Sequence, residues 1–129
     1  MKKIFISSDH AGFNLKENIK IFLKKKKYSF IDLGPKNNNP VDYPIYGLKV
    51  GESIKNKIVD MGIVVCGSGI GISIVANKIS GVRAALCTSV EHAILSRKHN
   101  NANVLALGAR LTDEKNIKEI VIKWLDTSF

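Results

Sequence analysis

Five short apolar segments of strand length alternate along the chain with segments of helical periodicity. The apolar segments are 3–8, 28–33, 60–65, 82–87 and 103–107. Apolar residues recur at helical spacing after each of them, most clearly in the last stretch, which carries Ile117, Ile120, Val121, Trp124 and Leu125. Strands that alternate with helices pair in parallel, with helices on both faces of the sheet. The sequence therefore predicts an α/β fold, a three-layer sandwich whose five-stranded parallel sheet has the order 2-1-3-4-5.

The composition suits one domain. The chain has 129 residues, 45% of them hydrophobic, which is enough for one core, so we expect a single domain over 1–129. The formal net charge of +9 comes mainly from lysine, since the only arginines are Arg83, Arg97 and Arg110. Proteins that bind nucleic acid usually carry more arginine with interleaved aromatic residues, so we expect no nucleic-acid partner. The basic run 24–27 keeps a nucleic-acid-associated protein as an alternative.

The sequence also bears on location. No apolar run approaches the length of about 18 residues that suggests a transmembrane helix, and the N-terminus does not resemble a signal peptide. With only two cysteines, a disulfide framework is not expected. We expect a cytoplasmic protein that does not associate with membranes.

The stretch from Asp60 to Lys78 carries the strongest chemical signal. A buried strand runs into Cys66, and three glycines follow at alternate positions before a helix that we expect to start near Ile72; they are Gly67, Gly69 and Gly71. Glycine allows backbone N–H groups to point at a ligand, so this turn suits an anion. The spacing misses the dinucleotide fingerprint by one residue and lacks the lysine of a P-loop. A tight turn that needs glycine only for packing is the alternative.

The predicted strand order brings further polar residues to this turn. Its switch point lies between strands 1 and 3, so the loop with Asp9 and His10 should meet the loop after Cys66. A thiol can take up a proton or attack a carbonyl, and backbone N–H groups can stabilise an oxyanion. Arg110, just after strand 5, can hold a phosphate by two hydrogen bonds, with a surface ion pair as the alternative. This combination predicts acid–base or nucleophilic chemistry on a small anion.

Other residues give weaker signals. His92 and His99 are seven residues apart and could share a helix face, but no metal-binding spacing of Cys or His occurs, so we expect no metal. Cys87 is predicted to be an unpaired core residue. Thr112 is predicted to cap the last helix.

Six sequence blocks, in order, resemble the type B ribose-5-phosphate isomerases, a family that also includes the galactose-6-phosphate isomerase subunits. The blocks are 8–12, 42–44, 66–71, 76–78, 96–100 and 108–110. The resemblance extends from Ile4 to about Leu125, nearly the whole chain. It implies a Rossmann-like sugar-phosphate isomerase domain that forms a homodimer, with a tetramer as the alternative, and active sites at the subunit interface.

The resemblance also implies a reaction and roles for residues. The reaction is the interconversion of ribose 5-phosphate and ribulose 5-phosphate through a cis-enediolate, without metal or cofactor, as in the pentose phosphate pathway. Cys66 matches the base that moves the proton, and His99 matches the residue that assists opening of the sugar ring. The residues that match substrate contacts are Asp9, His10, Tyr43, Gly67, Ser68, Gly69, Ile70, Gly71, Asn100 and Arg110.

These contacts divide by the part of the substrate that they serve. The amides of 67–71 match the loop that holds the enediolate oxygens, and Ser68 keeps a hydroxyl where many members have threonine. Asp9, Tyr43 and Asn100 match sugar contacts, whereas His10 and Arg110 match the phosphate end. The resemblance implies that His99, Asn100 and Arg110 serve a site together with residues of the partner chain.

The chain departs from the family pattern near its C-terminal end. Many members carry further arginines there that bind the phosphate, but no arginine follows Arg110 in this sequence. We therefore expect His10 and lysines to contribute more to phosphate binding. The cysteine-dependent group to which Cys66 assigns the chain also contains hexose-phosphate enzymes. A hexose 6-phosphate isomerase, acting on allose or galactose 6-phosphate, stays an alternative, as does a non-catalytic sugar-phosphate-binding module.

Overall fold

The computed structural model describes residues 3–129, in which strands and helices alternate. The strands are β1 (Lys3–Ser8), β2 (Ser29–Asp32), β3 (Met61–Cys66), β4 (Ala84–Leu86) and β5 (Val104–Gly108). The helices are α1 (Phe13–Lys25), α2 (Tyr43–Lys55), α3 (Ile70–Asn77), α4 (Val90–Lys98) and α5 (Glu114–Asp126). The predicted α/β alternation is thus confirmed. In residues 3–129, no helix is long and apolar enough to cross a bilayer.

The strands form one parallel sheet, as predicted, but its order is β2-β1-β3-β5-β4, so the predicted order 2-1-3-4-5 is wrong at one edge. Every residue of β5 is buried, whereas β4 has three residues that are all half-buried. Burial on both faces favours β5 beside the central strand β3, and a short strand is suited to the edge. The exchange places Gly108 opposite Cys66.

The sheet separates two apolar cores. On one face, residues of β1, β3 and β5 pack against α1, α4 and α5, and this core includes the fully buried Trp124. On the other face, Phe5, Val64 and Ala106 pack with residues of α2 and α3. Successive strand residues point to opposite faces, so each central strand contributes to both cores. This arrangement is the predicted three-layer sandwich.

Two helices begin at side-chain caps. The hydroxyl of Ser89 accepts a hydrogen bond from the backbone N–H of His92 at the start of α4. Asp113 caps α5 by accepting from the N–H of Lys115. The predicted cap, Thr112, is therefore wrong by one residue, since Asp113 has the extended backbone that a cap requires and its carboxylate also suits the helix dipole.

Candidate active site

Cys66 ends the central strand, and the following turn wraps around its sulfur. The residue is 5% exposed, and its Sγ accepts a hydrogen bond from the N–H of Gly69 at 3.1 Å. Gly69 has φ of +78°, a left-handed conformation that side chains rarely adopt. Glycine at this position therefore allows the chain to turn an amide back toward the thiol.

The turn leads directly into α3. The helix begins at Ile70, two residues earlier than expected, so Ile70 and Gly71 belong to its first turn. The Ser68 hydroxyl accepts from the N–H of Ile70 at 3.1 Å. The first N–H groups of a helix lack acceptors within the helix, and its N-terminus carries partial positive charge. The glycine turn and this helix end therefore meet at the end of β3, where the sequence predicted a strand, a glycine turn and a helix in succession.

Asp9 lies beside the end of β3, where the predicted switch point places it. Its backbone N–H donates to the carbonyl of Val65 at 3.0 Å, and its Oδ1 accepts from the N–H of Gly12 at 2.8 Å. A Cβ atom on Gly12 would lie 2.6 Å from the Val65 carbonyl oxygen, so only glycine allows α1 to start this close to β3. The buried Asp9 is thereby fixed at the end of β3, with its backbone bonded to the residue that precedes Cys66.

His10 is held through one ring nitrogen. Its Nδ1 lies 3.1 Å from both the backbone nitrogen and the carbonyl oxygen of Val41, which belongs to the loop between β2 and α2. Within residues 3–129, the other ring nitrogen has no hydrogen-bond partner. The contact fixes the imidazole and leaves Nε2 for a ligand.

Tyr43 and Arg110 approach the glycine turn from two sides. The Tyr43 ring packs against Gly71, where a Cβ atom would lie 2.8 Å from its Cε1. The N–H of Arg110 donates to the carbonyl of Gly67 at 2.9 Å, and its guanidinium passes the same glycine. Among the described residues, Arg110 has no carboxylate partner, so the surface ion pair considered from the sequence is absent there.

His99 and Asn100 do not join this group within one chain. Both are exposed and follow α4, just before β5, so they lie at the amino edge of the sheet. Cys66 lies at the carboxyl edge, and β3 alone separates the two edges by about 13 Å from Gly62 to Cys66 at the usual rise per residue. The structure thus brings together the other predicted site residues and leaves these two on the far side.

Three contributions to the site were missed from the sequence. They are the Gly12 amide on Asp9, the Val41 backbone on His10, and the buried Lys16, which holds the loop after β2. The Asp-x-x-Gly spacing could have indicated the first, since short acidic side chains commonly accept from nearby amides. The second and third depend on tertiary contacts that local spacing does not encode.

The second cysteine lies in a different environment. Cys66 and Cys87 are both free, and Cys87 belongs to a core, as predicted. Burial raises the pKa of the Cys87 thiol to about 11, and the Ser96 hydroxyl offsets only part of this effect. Within residues 3–129, no three His, Cys, Asp or Glu side chains are grouped so as to hold a metal ion.

Comparison with known proteins extends over nearly the whole chain. The sequence model of the Ribose/Galactose Isomerase family matches residues 4–129. The chain is 43% identical to ribose-5-phosphate isomerase B of Escherichia coli K12 over 129 residues, covering all of this chain and 87% of that protein.

Solved structures agree with this match. Ribose-5-phosphate isomerase B of Clostridium thermocellum has a TM-score of 0.96 and 53% identity, covering 98% of this chain and 86% of that chain. The Mycoplasma genitalium enzyme, with bound ribulose 5-phosphate, has a TM-score of 0.92 and 42% identity, covering 98% and 85%. The chain therefore belongs to the Ribose/Galactose Isomerase family and is an aldose–ketose isomerase that acts on sugar phosphates.

Proposed function

We propose that the protein interconverts ribose 5-phosphate and ribulose 5-phosphate through a cis-enediolate, as a single cytoplasmic domain. The observation that carries this proposal is the Cys66 sulfur at the centre of the glycine turn, with Asp9 and Arg110 held beside it. Enolisation requires a base, groups that stabilise an oxyanion, and groups that hold the substrate. The carboxyl edge of the sheet supplies candidates for each.

Cys66 acts as the base. Its thiolate removes the proton from C2 of the open-chain aldose, and the electrons of that C–H bond move through C2 and C1 to the carbonyl oxygen. Amides of the turn from Gly67 to Gly71 stabilise the resulting enediolate, and the Ser68 hydroxyl handles protons on its oxygens. Return of a proton to C1 yields the ketose, so the reaction moves hydrogen between adjacent carbons and consumes no oxidant.

The remaining residues bind the substrate. Arg110 and His10 hold the phosphate, since one offers an unpaired guanidinium and the other a free ring nitrogen among the described residues. Asp9 and Tyr43 contact the sugar hydroxyls. Lysines contribute through the overall charge of +9, which attracts a phosphorylated substrate.

A second copy of the chain completes the site. His99 and Asn100 lie at the opposite sheet edge from Cys66 in their own chain, so they reach a thiol only across a dimer interface. The surface beside the glycine turn is suited to such an interface, because Tyr43, Ile70 and Ile74 are 40%, 49% and 55% exposed. In the dimer, His99 assists ring opening and Asn100 contacts the sugar.

The test compares variants at the two cysteines. Cys66→Ala should lower kcat for ribose 5-phosphate by about 10³-fold or more, which is the range for losing a general base. Cys87→Ala removes the same thiol from a buried position outside the site and should leave kcat within about twofold of wild type. A coupled assay in the presence of a chelator measures both, and circular dichroism verifies that each variant is folded.

Equal activity of Cys66→Ala and wild type would contradict the role of this thiol. Binding of ribose 5-phosphate by calorimetry without turnover would instead support a non-catalytic module.

The family description also names galactose. Comparing kcat/KM for ribose 5-phosphate with those for allose and galactose 6-phosphates therefore decides between a pentose and a hexose substrate.

A further inference from the structure

A basic cleft lies at the amino edge of the sheet, on the opposite side of the chain from Cys66. It has a volume of about 630 Å³, within the usual range for ligand sites, and we name it the amino-edge cleft. Its charged lining consists of five cations and one acid: Lys3, Lys55, Lys57, Arg83, Arg97 and Asp60. In residues 3–129, none of these cations forms an ion pair. The cleft therefore concentrates positive charge that the described residues leave unneutralised.

The cleft contains more cations than the helix ends beside it need for balancing their dipoles. Lys55 and Arg97 lie in the last turns of α2 and α4, where a cation balances the negative end of the helix dipole. Lys3 begins β1 and has no such role, and Arg83, which directly precedes β4, reaches the end of α4 only through its hydrogen bond to the Asn101 carbonyl. Their charge in the same cleft indicates an anionic ligand.

Both guanidinium groups contact the same residue, Asn101. Arg83 donates through Nε to the Asn101 carbonyl at 2.8 Å, and Arg97 donates through Nη1 to the Asn101 side-chain oxygen at 3.0 Å. Asn101 itself has φ of +49°, in the left-handed region. A further contact, from Arg97 Nη1 to the carbonyl of Ala102 at 2.6 Å, restrains the buried guanidinium.

Two like charges are thus fixed next to each other without a carboxylate between them. Burial, and after it the charge of Arg83, lower the pKa of Arg97. A guanidinium has five N–H donors. Arg97 is buried and uses its Nε and Nη1 for contacts within the protein, so the exposed Arg83 offers most of the donors that stay available to an anion. Bidentate hydrogen bonds to phosphate oxygens match this arrangement.

We propose that the amino-edge cleft binds a polyphosphate group. The five cations and the one carboxylate, Asp60, leave a net charge of +4, which exceeds what one phosphate would neutralise, whereas linked phosphates could contact lysines and arginines together. Of the described residues that line the cleft, none is aromatic, so stacking with a nucleobase adds nothing there. The polyphosphate group, rather than an attached base, is therefore the recognised part.

Calorimetric titration of the wild-type protein with tripolyphosphate, at low ionic strength, tests this proposal. Binding with one site per chain is expected, and Arg83→Gln should weaken it about tenfold, as for loss of a charge-assisted hydrogen bond. Lys57→Gln should weaken it about threefold. The Lys57 ammonium makes no hydrogen bond or ion pair among the described residues, so this variant keeps the fold intact.

Two control variants separate the cleft from general charge and from the active site. Lys36→Gln makes the same charge change as Lys57→Gln but lies after β2, at the carboxyl edge, and should leave binding unchanged. Arg110→Gln, beside the glycine turn, should also leave it unchanged. Equal weakening by Lys36→Gln and Arg83→Gln, loss of binding in Arg110→Gln, or no binding of tripolyphosphate by the wild type would each overturn the proposal.

Titration with ATP without magnesium identifies the source of the polyphosphate group. Affinity equal to that of tripolyphosphate, with the same loss in Arg83→Gln, supports a nucleotide as the ligand. Weaker binding of ATP, again sensitive to Arg83→Gln, supports a free polyphosphate.

Discussion

A single lysine on α1 connects three parts of the molecule. Lys16 is completely buried, and its ammonium lies 2.8 and 2.7 Å from the two carboxylate oxygens of Asp32 and 2.8 Å from the carbonyl of Pro35. The Asp32 carboxylate also accepts from the N–H of Gly34, whose carbonyl accepts from the N–H of Ser8. Because Asp9 follows Ser8, this network supports the backbone that positions the candidate site.

Removing the buried ammonium should be costly. We expect Lys16→Met to lower the free energy of unfolding by about 3 kcal/mol, because it leaves Asp32 and a backbone carbonyl without their buried partner. Lys20 binds the same carboxylate at 2.7 Å but is one quarter exposed, so Lys20→Met should cost less than about 1 kcal/mol. Urea unfolding measures both, and equal costs would contradict the importance of burial.

The same network sets a pH dependence of stability. Burial opposes ionisation of Asp32, but hydrogen bonds from Lys16, Lys20 and the Gly34 amide outweigh it and hold the pKa of the carboxyl below its ordinary value of 3.8. The stabilisation is therefore complete above the unfolded-state pKa and is lost as the pH falls through the lowered value. Unfolding of Asp32→Asn between about pH 5 and about pH 3 should depend less on pH than that of wild type.

At the scale of elements, three helices end with a non-glycine residue in the left-handed conformation. Lys27, Lys57 and Asn101 have φ of +63°, +57° and +49°. After α1, the N–H of Lys27 donates to the carbonyl of Lys24, and that of Tyr28 donates to Leu23. These two bonds form the Schellman motif that usually has glycine at the left-handed position.

A glycine at this position should stabilise the protein. We expect Lys27→Gly to raise the free energy of unfolding by about 0.5–1 kcal/mol, since it removes the strain of a side chain at positive φ. Lys26, with φ of −83°, is the matched control, and Lys26→Gly should lower stability by a similar amount. Thermal unfolding monitored by circular dichroism distinguishes the two, and a lower midpoint for Lys27→Gly would contradict the strain argument.

Elements with a clear local pattern could be predicted from the sequence, whereas details set by competition between neighbours could not. The predicted bounds of β1 agree with the structure, and the turn after Cys66 has the expected form. The start of α3 differs because the helix already begins at Ile70, which is about half exposed and so is not part of the buried apolar segment that the sequence pattern indicates. The burial of Lys16 could not be predicted, because nothing near it in the sequence indicates its partner, Asp32.

At the scale of the whole molecule, the order of the strands in the sheet determines which loops lie next to the end of β3. Length and apolar content favour both β4 and β5 as strands, and the spacing of the chain does not specify which one lies next to β3. The greater burial of β5 in the folded sheet settles this choice. As a result, the backbone of Ala109 and Arg110 bonds directly to Cys66 and Gly67, closer than the predicted order would allow.

The same topology makes the proposed site dependent on a second chain, and mixing two inactive variants tests this dependence. In a symmetric dimer of Cys66→Ala with His99→Asn, one of the two sites combines an intact Cys66 with an intact His99 from the other chain. Random exchange of subunits should therefore restore about a quarter of wild-type activity.

A second mixture isolates the geometric cause of this recovery. Asp9 lies beside Cys66 in the same chain, so a dimer of Cys66→Ala with Asp9→Asn contains no intact site and should stay inactive. Light scattering and exchange of differently tagged chains verify that mixed dimers form. Recovery in neither mixture, with exchange verified, would show that His99 does not act across the interface. Recovery in the first mixture alone is the expected result, because the two edges of the sheet separate His99 from Cys66 within each chain and only the partner can supply His99.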